Sequence, residues 1–137
     1  MSSLVDSNIV IDICKRDSEF FAWSLRSVMY AANEGPLFIN QVIYAETAGE
    51  FDAQREFETS FKDIGIVFED LPWTCAFLAG HAHKKYRSSG GSRNRTLPDF
   101  LIGAHATVMG HRLITRDARR YRNYFPTLDI IAPDTHP

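Results

Sequence analysis

Short apolar runs alternate along this chain with longer stretches in which apolar residues recur every three or four positions. Leu4-Val5, Leu37-Phe38-Ile39, Ile66-Val67-Phe68, Leu113-Ile114 and Leu128-Asp129-Ile130-Ile131 read as strands. Between them lie helical patterns. A brief one runs from Ile9 to Lys15, after the capping chemistry of Asp6-Ser7-Asn8. The next covers 18–34, with Ser18 as cap, a face of Phe21, Leu25, Val28 and Met29, and Gly35-Pro36 as its stop. Asn40 caps a helix from Gln41 to about Gly49, and another spans 52–63 with Phe57 and Phe61 four apart. A long helix after Pro72 turns Trp73, Phe77 and Leu78 inward. A helix from Leu97 to Met109 stops at Gly110, and a short one covers 118–124. Strands this short and apolar, alternating with helices, predict an α/β fold whose mainly parallel sheet is covered on both faces.

Four acids stand out against that pattern. Asp6 follows the first strand and Asp117 follows the strand ending in Ile114-Thr115. Glu46 shares a helix face with Val42 and Ile43, and Asp99 enters the apolar run that begins at Leu97. Each has an ordinary structural role open to it. Asp6 and Asp117 are caps for the helices after them, Asp99 completes a capping box with Thr96 beside Pro98, and Glu46 sits partly exposed at a sheet edge. All four nevertheless map to one edge of the expected sheet, the carboxyl edge where open α/β proteins gather their sites. Carboxylates crowded together repel, and such a pocket is tolerable around a divalent cation.

The chain of 137 residues has the size of one domain, 1–137, and needs no disulfide to hold a core. Cys14 and Cys75 lack metal-ligand spacing and read as reduced core thiols of a cytoplasmic protein. No secretory signal opens the chain, and no apolar stretch reaches membrane length. The net charge of −2 is unevenly spread. Residues 1–70 hold five Lys and Arg against thirteen Asp and Glu, and residues 71–137 hold ten against four. The basic residues form two clusters, Lys84, Lys85, Arg87, Arg93 and Arg95 around a Gly-Ser loop, and Arg112, Arg116, Arg119, Arg120 and Arg122. Such density suits a polyanion, or a solvated surface paired with the acidic half. The loop 88–95 reads as disordered.

Other chemistry is weakly supported. His81 and His83 are two apart on a helix and face different ways; His105 and His111 have no ligand spacing and read as packing or surface residues. Gly90-Gly91 neither follows a strand nor starts a helix, so no phosphate-cradling loop is present. Asp6-Ser7-Asn8 lacks the second aspartate of a haloacid-dehalogenase-type phosphatase.

Leu4-Val5-Asp6-Ser7-Asn8, Val42-Ile43-Tyr44-Ala45-Glu46, the run from Leu97 to Ala106 and Leu113-Ile114-Thr115-Arg116-Asp117 resemble the four acidic motifs of PIN domains. More narrowly, the chain is similar to the VapC-type toxins of bacterial toxin–antitoxin pairs. The likeness runs the length of the chain, and the fourth acid is the most variable of the set. The resemblance implies a single α/β/α sandwich of about five short strands and Mg²⁺- or Mn²⁺-dependent cleavage of RNA. It also implies homodimerisation, and inhibition by a cognate antitoxin that lies across the active site. On that basis Asp6, Glu46, Asp99 and Asp117 are the expected catalytic metal ligands, with Ser7, Asn8, Thr115 and Arg116 near the substrate. Tyr86, Tyr121 and Tyr124 are candidates for base stacking or for packing. The alternatives are a non-catalytic PIN-like binding module and a structure-specific DNA nuclease, for which the chain is short.

Overall fold

The computed structural model describes residues 1–92 and 94–137; Arg93, counted above in the first basic cluster, lies outside the described residues. Five strands, β1 (Ser3–Val5), β2 (Leu37–Ile39), β3 (Ile66–Phe68), β4 (Arg112–Ile114) and β5 (Ile130–Ile131), form one sheet in the order β3-β2-β1-β4-β5. Every pairing is parallel. The helices are α1 (Ser7–Cys14), α2 (Phe21–Glu34), α3 (Gln41–Ala48), α4 (Gln54–Ile64), α5 (Trp73–Ser88) and α6 (Leu97–Met109). All three residues of β1 and of β4 are buried. Successive strand side chains point to opposite faces, so both faces of the central sheet are covered. The α/β class and the five short parallel strands expected from the sequence are both present.

The winding of the chain positions the site. From β1 it moves outward through β2 to β3, then returns to the other side of β1 for β4 and β5. The direction reverses between β1 and β4, and the crevice beyond the carboxyl ends of those two strands is where such sheets bind ligands. Asp6 leaves β1 there, its backbone N–H bonded to the Ile114 carbonyl at the end of β4.

Several local expectations are corrected. Helix α2 starts at Phe21, because the Asp17 carboxylate accepts from the N–H groups of Glu19 and Phe20 and holds the preceding residues in a turn. Its buried stripe is Trp23, Ser24, Ser27, Val28 and Ala31, and Met29 faces solvent. The face is turned because Ser24 donates to Asp12, a buried acid on α1. On α5 the inward residues are Cys75, Ala79 and Tyr86, whereas Trp73 is 92% exposed and Phe77 65%. Leu78 is exposed as well. The small residues on the inner face let α6 pack closely along α5. The expected helix 118–124 is only a 3₁₀ turn, Ala118–Arg120, and α4 begins at Gln54.

Among the described residues of the 88–95 loop, the chain is tied to Tyr86. Its hydroxyl donates to the Ser92 carbonyl, and its own carbonyl accepts from Gly91. A Cβ on Gly91 would stand 2.5 Å from that carbonyl oxygen, so only glycine fits. At the end of α6, Gly110 adopts φ +72°, the left-handed stop the sequence predicts.

Candidate active site

Asp6 caps α1 with Oδ1, which accepts from the Ser7 N–H at 2.7 Å. Its other oxygen, Oδ2, accepts from Thr115 Oγ1 at 2.8 Å and from Tyr121 Oη at 2.9 Å. Ser7 Oγ lies 3.0 Å from Glu46 Oε1 and 3.3 Å from Asp6 Oδ1, so one hydroxyl separates the first two acids. Asp99 closes the capping box of α6, Oδ2 accepting from the Thr96 N–H at 2.9 Å. The other oxygen, Oδ1, faces Arg120 Nη1 at 3.3 Å. Arg120 also donates from Nε to Asp117 Oδ2 at 2.8 Å. The loop that carries Asp117 is pinned by its N–H to Thr115 Oγ1. The four acids therefore meet at the winding reversal, Asp6 joined to Glu46 through Ser7 and Asp99 joined to Asp117 through Arg120.

Their electrostatics reflect that proximity. Burial raises the pKa of Asp6 above the usual carboxylate range; the hydroxyls of Thr115 and Tyr121 and the Ser7 amide pull it down, and the charge of Asp99 adds to the rise. Partial desolvation at the rim of the site raises Glu46 too, opposed by Ser7 and Arg120 and reinforced by Asp6 and Asp99. Burial together with Asp6 and Asp99 pushes the Tyr121 hydroxyl well above its ordinary value, so it stays a proton donor. Arg120 is held charged: partial burial works against the charge, but Asp117 and Asp99 outweigh it. The donor set is all oxygen and strongly anionic, which fits a hard divalent cation such as Mg²⁺ or Mn²⁺.

Glu46 does not sit on the buried stripe of α3. Ile43 and Thr47 do, and Glu46 stands exposed at the rim beside Ser7. Arg116 does not face the acids. Its guanidinium forms a fork with Asp12 (2.7 and 3.0 Å) and lies over the Phe20 ring, 4.3 Å from its centre. Asn8 tethers the loop after β4, accepting from the Arg116 N–H at 3.3 Å. The second basic cluster is dispersed: Arg112 is buried near Glu34, and Arg122 pairs with Asp134. Arg119 and Arg120 remain beside the acids. With Tyr86, Ser92, Asn94, Arg95, Thr96 and Asp117 they line a cavity of about 710 Å³. A larger cleft of about 880 Å³ between α4 and β3 contains none of the four acids.

Two functional neighbours escaped sequence reasoning. Tyr121, a candidate for stacking or packing, is buried and bonded to Asp6; Arg120, one member of a basic cluster, bridges two acids. Both lie three or four residues after Asp117, and that spacing on a turn was the available signal.

The sequence profile of the PIN domain matches residues 3–126. No match is found among curated protein sequences. Among solved structures, the chain is similar to VapBC2 from Rickettsia felis bound to a DNA fragment from its promoter (TM-score 0.70, 16% identity, 96% of this chain and 98% of that one). DNA-bound VapBC from Salmonella typhimurium gives a TM-score of 0.67 at 17% identity, covering 96% and 98%. A toxin–antitoxin complex from Klebsiella pneumoniae gives 0.66 at 18% identity, covering 96% and 97%.

Proposed function

The chain belongs to the PIN domain family, and on that premise we propose that it is a Mg²⁺- or Mn²⁺-dependent endoribonuclease, the toxin of a toxin–antitoxin pair. The observation that carries this reading is the meeting of Asp6, Glu46, Asp99 and Asp117 at the carboxyl ends of β1 and β4, with two of their pKa values pushed upward. Asp6 through Oδ1, Glu46 and Asp99 would hold the cation, with Asp117 binding directly or through water. When bound, the cation supplies charge neutralisation at the phosphate and lowers the pKa of a bound water.

The protein's own groups do the rest. Thr115, Tyr121 and the Ser7 amide fix the Asp6 carboxylate, and Ser7 holds Glu46 beside it, where Glu46 can orient the attacking water and accept its proton. Water attacks phosphorus in line with the departing 3′-oxygen, which takes up a proton from solvent water, leaving a 5′-phosphate and a 3′-hydroxyl. Arg119 and Arg120 with Arg95 line the neighbouring cavity and present cationic contacts to RNA phosphates. Tyr86 and Tyr121 are buried and serve packing and positioning rather than base stacking.

A protein partner is supported by the neighbours, which are VapBC or toxin–antitoxin complexes. A homodimer is supported by the exposed Trp73 and Phe77 of α5, which a second copy would cover. A cytoplasmic location accords with two unpaired cysteines, and no helix among the described residues is long and apolar enough to cross a membrane. The test is cleavage of a total RNA preparation with Mn²⁺ and with EDTA, by the native protein and by Asp6→Asn and Asp99→Asn. Metal-dependent cleavage lost in both variants is expected. Cleavage retained in both would end the proposal, and native protein inert under every metal condition would favour the non-catalytic binding module.

A further inference from the structure

A second convergence of ligand atoms lies apart from the four acids. Glu69 follows β3, His105 stands within α6, and His111 immediately precedes β4. Oε1 of Glu69 is 2.8 Å from His105 Nε2 and 2.6 Å from His111 Nε2, and the three ligand atoms all lie within 4.8 Å of one another. Both histidines are buried, and the Glu69 side chain is partly exposed, giving an ion a way in. We propose that Glu69, His105 and His111 form a zinc site, separate from the acidic centre and independent of the nuclease reading.

The donors choose the metal. Two imidazole nitrogens and one carboxylate suit a borderline cation such as Zn²⁺, whereas the all-oxygen acidic centre suits Mg²⁺. Three protein ligands leave a fourth tetrahedral position for water on the side where Glu69 meets solvent. Zn–N and Zn–O bonds of about 2.0–2.2 Å set tetrahedral ligand atoms roughly 3.3–3.6 Å apart, so Glu69 Oε1 must draw back from each imidazole nitrogen by roughly 0.5–1 Å.

The groups behind the histidines differ. His111 Nδ1 is 2.5 Å from Ser2 Oγ, a hydroxyl that donates to it while Nε2 gives its proton to Glu69 and turns to accept once a metal takes Nε2. His105 lacks that freedom. Asn40 Oδ1 is taken by the Ile43 N–H at the cap of α3, so the Asn40 amide nitrogen donates to His105 Nδ1 at 2.9 Å, and the ring proton sits on Nε2 facing Glu69. Zinc at Nε2 displaces that proton, Nδ1 then carries the ring N–H, and Asn40 must turn its oxygen toward it and release Ile43. Loading therefore loosens the cap of α3, the helix that bears Glu46.

Zn²⁺ binding to the full-length Asp6→Asn/Asp99→Asn protein, with the acidic centre disabled, is measured by isothermal titration, and folding of every variant is checked by circular dichroism. The expected result is one Zn²⁺ per chain, with no comparable uptake of Mg²⁺. Adding His111→Ala abolishes binding, and adding the near-isosteric Glu69→Gln weakens it by about tenfold or more. Adding Asn40→Asp instead supplies an oxygen to both Ile43 and His105, and tightens binding by about tenfold. Absence of zinc binding, or binding unchanged by His111→Ala or by Glu69→Gln, would overturn the three-ligand centre and leave a hydrogen-bonded network in its place; affinity indifferent to Asn40→Asp would overturn the turning of Asn40.

Discussion

Tyr121 Oη donates to Asp6 Oδ2 at 2.9 Å, and both side chains are buried. Thr115 donates to the same oxygen, so both of its lone-pair directions are filled. Oδ1 accepts the Ser7 N–H and retains one direction toward Glu46 and Ser7 Oγ. Tyr121→Phe removes a hydrogen bond to a charged acceptor and is expected to cost about 1.5–3 kcal/mol of stability. It also frees the carboxylate to rotate and weakens Mn²⁺ binding. Urea unfolding in EDTA measures the first effect and Mn²⁺ titration the second.

Asp6→Asn is expected to stabilise the metal-free protein while abolishing cleavage. The folded-state pKa of Asp6 is raised, so the folded protein holds this proton more tightly than the unfolded chain does. That contribution to stability is fully present below the unfolded value of about 3.9 and is lost as pH rises through the folded value. The variant should therefore melt above the native protein at neutral pH in EDTA, and its advantage should vanish toward pH 4. Melting temperatures of the two proteins from about pH 4 to about pH 8 check the difference.

Arg120→Ala removes the cation that spans Asp99 and Asp117. With one fewer positive charge among the acids, Mn²⁺ should bind about fivefold more tightly, roughly 1 kcal/mol. RNA cleavage should nevertheless fall, because a phosphate contact is lost. Metal titration and cleavage rate should move in opposite directions.

Arg116→Ala acts by a different route. Asp12 is 1% exposed, and its partners are Arg116 and Ser24. Removing the guanidinium leaves a buried carboxylate uncompensated, at a cost of about 3–5 kcal/mol. Loss of activity in this variant should track unfolding, with cleavage per folded molecule little changed.

The proposed dimer predicts that Trp73→Ser combined with Phe77→Ser gives a folded monomer at concentrations where the unsubstituted protein sediments as a dimer. Both side chains are exposed in the single chain, so the substitutions leave its core intact. Sedimentation velocity separates the two states.

Legibility varied with how local the deciding forces were. The helix Leu97–Met109 was readable to the residue, because Thr96, Asp99 and the left-handed Gly110 mark its ends with their own chemistry. The face of α5 was misread. Trp73, Phe77 and Leu78 carry more apolar area than Cys75 and Ala79, yet the close approach of α6 selects the small residues for the inside. Arg116 looked available to substrate because its partner, Asp12, is 104 residues away in sequence.

Apolar periodicity and capping residues, which act over a few positions, determined the α/β alternation, the strands and the two places, Asp6 and Asp99, where an acid caps a helix; the Asp117 side chain caps nothing and pairs with Arg120 instead. Only the folded chain decided that Arg120 rather than Arg116 attends those acids, that a tyrosine anchors Asp6, and that Glu69, His105 and His111 share one oxygen. Those contacts join segments from separate strands and helices. Their partners are set by sheet order and helix packing, and no spacing along the sequence encodes either.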